Sequence, residues 1–354
     1  MPDCTPSRVL LVKTSSMGDI VQALPVVHDI LEHRAGCSID WMLEPGYAEL
    51  VQAHPGVSRV IQVPWRSWWR RPLASTTRRQ WRELRSDLAQ HPYDAVIDLQ
   101  GLCKSAVLAR LAQGRRYGWK GRACREPIAA CLYDVRIAAP AFDSLAAVTR
   151  YRNLCARVLG YTPQGDPAYG LRVLPARPDW LGGRQPFAVL LSATARDEKL
   201  WPEASWVELG RQLRSRGLAL VLAWGSDTER ERAARIAEGV RAAQAGAAPP
   251  PVELAPHRLG LGEWAGVLRA SALVVGVDTG LSFLAAAVAA PVIAIYTATS
   301  PAQVGIRARS PHRNLGDVGR PPSAGEVLQV ALELLQAAPA PVDGAGATRL
   351  GALA

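Results

Sequence analysis

The stretch Arg8–Leu31, RVLLVKTSSMGDIVQALPVVHDIL, decides the fold. Arg8–Lys13 is an apolar run of strand length. Thr14, Ser15, Ser16 and Gly18 then supply turn and cap residues, and Asp19–His33 places Ile20, Leu24, Val27 and Leu31 at helical spacing. A buried strand that runs through a short polar loop into an amphipathic helix is the opening half of a βαβ unit.

The alternation continues outward. Strands are expected at Ser38–Leu43, Val57–Val63 and Asp94–Leu99, and helices at Arg78–Gln90 and from about Leu102 to Leu111. Proline and glycine cluster between Pro163 and Pro186, where the domain linker is expected. The pattern then restarts with strands at Phe187–Leu191, Leu218–Ala223, Ala272–Val277 and Val292–Tyr296. Helices are expected at Trp206–Arg216, Glu229–Gly239, Leu261–Ala270, Leu281–Ala289 and Gly325–Gln336, with a loop at Ala245–Pro251. The fold class is α/β: two doubly wound, mostly parallel halves over residues 1–175 and 184–336, and a disordered tail over 337–354. Ligands of such sheets sit beyond the carboxyl ends of the strands, so two halves are expected to face a cleft lined by strand-to-helix loops.

Charge narrows the partners. The net charge is +10 over 354 residues, but residues 1–177 hold 24 Lys and Arg against 15 Asp and Glu, while residues 178–354 hold 17 against 16. The first half therefore calls for an acidic partner: nucleic acid, an anionic membrane surface, or a phosphorylated or carboxylated substrate. Arginine carries this charge, since the only lysines are Lys13, Lys104, Lys120 and Lys199. A hydrophobic content of 49% excludes wholesale disorder. Cys4, Cys37, Cys103, Cys124, Cys131 and Cys155 are irregularly spaced with no C-x-x-C, and read as reduced, buried thiols of a cytosolic protein. The first residues lack the pattern of a signal peptide. The uncharged stretch Thr279–Ile306 is interrupted by Pro291 and Pro301, and reads as a buried helix and strand instead of a membrane span. The sequence lacks G-x-G-x-x-G after a strand, G-x-x-x-x-G-K-[ST], G-x-S-x-G, H-E-x-x-H and a D-x-D pair, which argues against dinucleotide, P-loop, serine-hydrolase and metal-dependent sites.

Four loops remain as sites for chemistry. In Lys13–Asp19, hydroxyls and a helix start suit an anion or a sugar; Asp19 reads equally as a helix N-cap or as a general base at a strand end. In Ser192–Pro202, Lys199 is the only lysine of the second half, with Thr194 nearby; it is either a solvated charge or a cation for a leaving diphosphate. In Val277–Phe283, Gly280 permits close backbone approach at a helix start, although Asp278 and Thr279 read equally as a capping pair. Glu229 stands where a carboxylate often holds ribose, or is an exposed first-turn charge. Separately, Arg66, Arg70, Arg71, Arg78, Arg79, Arg82 and Arg85 interleave with Trp65, Trp68, Trp69 and Trp81, a mixture suited to phosphates, carboxylates and a membrane interface. No nucleic-acid-binding motif accompanies it, so nucleic acid is not expected as a partner.

Taken in order, RVLLVKTSSMGDIVQALP, YDAVIDLQGLCKSA from Tyr93, REP at Arg125, TARDEKLWPEASW from Thr194, WGSDTERERA from Trp224 and VDTGLSFLAAA from Val277 resemble the ADP-heptose:lipopolysaccharide heptosyltransferase family over roughly residues 8–336. The resemblance implies a GT-B fold, two Rossmann-like domains, and an inverting, metal-independent transfer of L-glycero-D-manno-heptose from ADP-heptose to the first Kdo of Kdo-lipid A, with no cofactor. It implies Asp19 as base and Lys199 on the diphosphate. Thr194, Asp278, Thr279, Gly280 and Leu281 would hold the donor phosphates and heptose, Glu229 the nucleoside, and Ser15 and Ser16 the transferred sugar. Arg66, Arg70, Arg125 and Lys104 would serve the acceptor, and the chain would attach peripherally to the cytoplasmic side of the inner membrane. Phe283 stands where the family has His, Ala195 where a second hydroxyl is expected, and Ser67 and Trp69 where bases are more usual. A family member with another donor or acceptor, and a non-catalytic basic protein that binds nucleic acid or anionic lipid, are the competing readings.

Overall fold

The computed structural model describes residues 8–183, 185–242 and 249–337. The chain divides between Arg172 and Val173 into two compact units, Met1–Arg172 and Val173–Ala354. The first runs β1 (Arg8–Val12), α1 (Met17–Ala23), α2 (Pro25–His33), β2 (Ser38–Leu43), α3 (Ala48–Gln52), β3 (Arg59–Gln62), α4 (Trp65–Arg70), α5 (Ser75–Ala89), β4 (Tyr93–Asp98), α6 (Cys103–Ala109), β5 (Gly114–Trp119), β6 (Val135–Ile137) and α7 (Ala147–Leu159). The second runs β7 (Phe187–Leu191), α8 (Glu203–Ser215), β8 (Ala219–Leu222), α9 (Asp227–Arg241), β9 (Val252–Leu254), α10 (Leu261–Ala270), β10 (Leu273–Val277), α11 (Gly280–Ala287), β11 (Val292–Tyr296), α12 (Pro301–Val304), β12 (His312–Gly316) and α13 (Ala324–Ala337).

Each unit is built on one six-stranded sheet, ordered β3-β2-β1-β4-β5-β6 and β12-β11-β10-β7-β8-β9, with every ladder parallel. The two orders are the same when each is counted from its own first strand: both reverse direction between the first and fourth strands, β1 and β4 in one unit and β7 and β10 in the other. That reversal opens a crevice at the carboxyl ends of those strands, where doubly wound sheets bind ligands. Helices cover both faces, so Val9–Val12 of β1 and Ala188–Leu190 of β7 are fully buried, and their runs are apolar on both sides. Trp201 and Trp206 meet edge to face at 5.0 Å in the core of the second unit.

Several expectations are corrected. The helix expected over Asp19–His33 is two helices, because Leu24 is followed by Pro25, which opens α2 at a position where its missing N–H costs nothing. The first helix begins at Met17, so Ser16 is the N-cap and Asp19 lies a turn inside. No expectation anticipated α4, α7, β5, β6, β9 or β12. Residues 173–183 of the proline- and glycine-rich stretch belong to the second unit: Ala176 N donates to Gly266 O at 3.0 Å, and a Cβ on Gly266 would stand 2.9 Å from Ala176 Cβ. Cys37, Cys124 and Cys155 are buried as expected, but Cys103 is partly exposed and Cys131 exposed. Cys4, residues 245–248 of the expected loop and the tail from 338 lie outside the described residues. Among the described residues no helix is long and apolar enough to cross a membrane.

Packing carries directly into the first crevice. Gly118 on β5 lies against the Tyr133 ring, where a Cβ would come within 2.2 Å of it. Tyr133 donates its hydroxyl to Asp98 Oδ2 at 2.7 Å at the end of β4. Asp98 also accepts from Ser105 Oγ and from the backbone of Gln100 and Gly101. Burial pushes its carboxyl up, and those donors oppose the shift. The β4–α6 turn is thereby fixed. Gln100 Oε1 on it accepts from Thr14 N at 2.8 Å and Thr14 Oγ1 at 2.7 Å, which ties it to the β1–α1 loop.

Candidate functional site

The crevice of the first unit gathers Ser15, Ser16, Asp19 and Lys104. Lys104 Nζ donates to Ser15 Oγ at 3.3 Å. Asp19 Oδ2 accepts from Ser16 N at 3.3 Å and from Ser16 Oγ at 3.0 Å, and Oδ1 accepts from Tyr151 OH at 2.9 Å. Lys13 Nζ stands 3.7 Å from Asp19 Oδ2. Burial alone would raise the Asp19 carboxyl, but the Lys13 charge, the Tyr151 hydroxyl and Ser16 outweigh it and hold it below the usual carboxylate range. Lys13 itself is only 2% exposed, and burial lowers its ammonium to about 8 despite Asp19. Asp19 is thus not the N-cap but the third residue of α1, whose carboxylate completes a capping box with Ser16 and remains 22% exposed.

The basic residues that the resemblance assigned to an acceptor fall into two groups. Arg66 and Arg125 both act on Lys104: burial first, and then the two guanidinium charges, lower its ammonium, against the opposing charges of Glu44 and Glu126. Glu44, at the end of β2, joins them. It is buried, accepts from the backbone N of Arg66, and its pKa is raised by burial. Arg70 is instead exposed at the end of α4. With Arg78 and Arg82 it belongs to the arginine belt of the α4–α5 hairpin. There Trp65, Trp68, Trp69, Pro72, Thr77, Arg78, Trp81 and Arg82 line a groove of about 480 Å³. Trp68 is buried and meets Trp81 edge to face at 5.4 Å, while Trp69 and Leu73 stand in solvent.

The crevice of the second unit gathers Thr194, Lys199, Asp278, Thr279, Gly280 and Leu281. Lys199 Nζ is ion-paired with Asp278 Oδ2, which also accepts from Thr299 Oγ1 at 2.8 Å. Thr194 Oγ1 donates to Asp278 O at 3.2 Å. Asp278 is therefore an anchor for Lys199 and not half of a capping pair. The ammonium keeps further donors to offer. Thr279 is the N-cap of α11 without a side-chain cap, so the first N–H groups of that helix stay open to an anion. Glu229 closes the first turn of α9: its Oε2 accepts from Gly225 N at 2.6 Å and its own N donates to Ser226 Oγ at 3.3 Å. Phe283 is buried, so the residue in the histidine's place packs into the core. Ala195 is exposed beside Thr194.

Lys13, Glu44, Gln100 and Tyr151 were not expected in the first crevice. Lys13 carries a readable signal, a lone charge closing an apolar strand. Tyr151 carries none, because it reaches Asp19 from α7. Among the described residues no group of three or more His, Cys, Asp or Glu is gathered as metal ligands are.

Residues 81–322 match the family described as Glycosyltransferase family 9 (heptosyltransferase). The chain is similar to lipopolysaccharide heptosyltransferase 1 of Escherichia coli (strain K12), with 39% identity over 320 residues, 87% of this chain and 95% of that protein. It is similar to the solved structure of E. coli heptosyltransferase WaaC with ADP, with a TM-score of 0.79 and 36% identity over 92% of this chain and 99% of that one. The structure of the same enzyme with ADP-2-deoxy-2-fluoro heptose has a TM-score of 0.76 over the same shares. Two doubly wound units of this kind are the GT-B-type α/β architecture that the resemblance implied. The chain belongs to glycosyltransferase family 9, the heptosyltransferases.

Proposed function

We propose that the protein transfers L-glycero-D-manno-heptose from ADP-heptose to the first Kdo of Kdo-lipid A, with inversion at the anomeric carbon. The observation that carries this reading is Asp19, an ionised carboxylate at the β1 end of the crevice, held by Ser16 and Tyr151 and beside Lys13. Asp19 takes the proton of a Kdo hydroxyl as that oxygen attacks the anomeric carbon, and the bond from that carbon to the diphosphate oxygen breaks. ADP leaves with the bonding electrons. Lys199 and the open N–H groups at Gly280 and Leu281 meet the charge that develops on it, and this reading needs no metal or cofactor. Thr194, Asp278 and Thr279 order those groups, and Glu229 faces the nucleoside with its remaining carboxylate oxygen. Ser15 and Ser16 lie beside the transferred sugar.

On the acceptor side, Arg66, Lys104 and Arg125 take the Kdo carboxylates, and Arg70 the lipid A phosphates. The arginine and tryptophan hairpin Arg66–Arg85 attaches the chain peripherally to the cytoplasmic side of the inner membrane. The test is mass analysis of Kdo-lipid A incubated with the protein and ADP-heptose. A gain of one heptose is expected, and its absence overturns the substrate assignment. Asp19→Asn should abolish the gain while ADP-heptose still binds; a variant that turns over normally removes Asp19 as base.

A further inference from the structure

We propose that Tyr151 is a positioning residue for Asp19, and that its hydroxyl makes Oδ1 the oxygen that receives the acceptor's proton. The proposal rests on Asp19 being the base. A carboxylate has about two lone-pair sites on each oxygen. On Oδ2 both are engaged, by Ser16 N at 3.3 Å and Ser16 Oγ at 3.0 Å, with Lys13 Nζ close by at 3.7 Å. Oδ1 has Tyr151 OH at 2.9 Å and one site left. Donors on both oxygens fix the plane of the carboxylate, and the remaining site on Oδ1 then has one direction.

The phenol is itself held. Tyr151 is 1% exposed on α7. Lys13 Nζ lies 5.1 Å from its ring centroid, and the Arg150 guanidinium 5.3 Å. Arg150 is anchored in turn: it donates to Phe142 O at 3.0 Å and lies 3.8 Å from the Phe142 ring centroid. The hydroxyl therefore reaches Asp19 from a rigid ring, and its bond is stronger to the ionised carboxylate than to the protonated acid. The charged and titratable groups around the pair are Lys13 at the end of β1, Arg150 and Tyr151 on α7, and, acting through Lys13, Asp98 at the end of β4 and Arg125. Burial and the Asp19 charge keep the phenol protonated far above neutral pH. Tyr151 is thus a donor throughout the working range.

A merely structural tyrosine would satisfy its buried hydroxyl and nothing more, so stability cannot separate the two roles. The pH dependence of kcat can. Removing a donor from the charged form makes Asp19 easier to protonate, so Tyr151→Phe should move the acidic limb of kcat up by about one pH unit. The plateau kcat should fall about tenfold, and the KM for ADP-heptose should stay within twofold. Replacing Tyr151 with 3-fluorotyrosine keeps the shape and strengthens the donor, so the limb should move down; this variant answers the question if Tyr151→Phe fails to fold. An acidic limb that moves with neither variant overturns the proposal. Asp19→Asn is run beside them. If it retains turnover, the base assignment fails and this proposal with it; if it is inactive while the limb stays still, only the role of Tyr151 is lost.

Discussion

Trp69 and Leu73 are 77% and 82% exposed on a hairpin rich in arginine, an arrangement that packing within this chain does not require. If that hairpin docks on an anionic bilayer, these two side chains enter the boundary between headgroups and acyl chains. Fully burying a large apolar side chain is worth ~1.5–3 kcal/mol. Taking the low end for an interfacial site, the Trp69→Ala, Leu73→Ala double variant should lose ~3 kcal/mol of binding, or roughly 150-fold in partitioning. Arg78 and Arg82 flank the groove, and each is worth ~1 kcal/mol near an anionic surface. Replacing both with Gln should cost ~2 kcal/mol, roughly 30-fold, at low salt. The second loss should nearly vanish at 1 M salt, where the screening length falls to about 3 Å, while the first should persist. Co-sedimentation with vesicles containing phosphatidylglycerol, at 0.1 M and 1 M salt, reads both effects. Exposed side chains contribute little to folding, so unfolding free energies from urea titration should match the wild type to within ~0.5 kcal/mol. Vesicle binding by the apolar variant within threefold of wild type would refute insertion, and would leave Trp69 and Leu73 as solvent-exposed side chains of the hairpin.

Lys199→Met should reduce kcat/KM for ADP-heptose by roughly 100-fold, the scale of one lost donor to a developing anion, as steady-state kinetics would read; unchanged kinetics would leave Lys199 as no more than the partner of Asp278. Lys13 is lowered from 10.5 to about 8 by burial, so between those values the unfolded chain binds more protons than the folded one. Stability of the first unit should therefore rise by about 3 kcal/mol as pH climbs from 8 to 10.5, and denaturation of Lys13→Met against pH should lack that rise. Arg152 makes a two-bonded ion pair with Asp29, at 2.7 and 2.9 Å, and the Asp29 side chain is only 2% exposed. Arg152→Met should cost ~3–5 kcal/mol in chemical denaturation, and adding Asp29→Leu should recover most of it.

The sequence reading succeeded where a strand is buried on both faces. β1, β7, β10 and β11 are continuous apolar runs between loops, and nothing else of that length fits them. It failed where the apolar signal is diluted. β5 carries Arg115 and Arg116, and β12 carries His312 and Arg313 on an edge of its sheet, so neither alternates nor forms a run. The break at Leu24–Pro25 escaped because proline at the first position of α2 leaves the apolar period of the two helices in step. The loops of the candidate site were legible for a topological reason, since the ends of β1, β7 and β10 must flank the two reversals. The partnerships inside it were not. Tyr151 meets Asp19 across 132 positions, and Lys199 meets Asp278 across 79, and no local pattern records a contact of that kind.

Departures from local rules nevertheless point to the same places. Lys13 is a buried cation at the end of β1 whose charge costs stability. Glu44, one residue past β2, has a buried Oε1 without a hydrogen-bond partner, and Ser192, one residue past β7, has a buried Oγ in the same condition. A core selected for stability alone would replace all three with apolar residues of similar size, because an unsatisfied buried polar atom costs ~1–3 kcal/mol. All three follow the last residue of a parallel strand, on the side of the sheet where doubly wound folds bind ligands. Buried polar atoms without a hydrogen-bond partner also occur away from the crevices, among them Asp40 Oδ1 inside β2 and Trp206 Nε1 and Arg214 Nη1 on α8, so it is the place of these three at strand ends that marks them. That place is expected when polar groups are kept for a ligand and the fold bears the penalty until it binds.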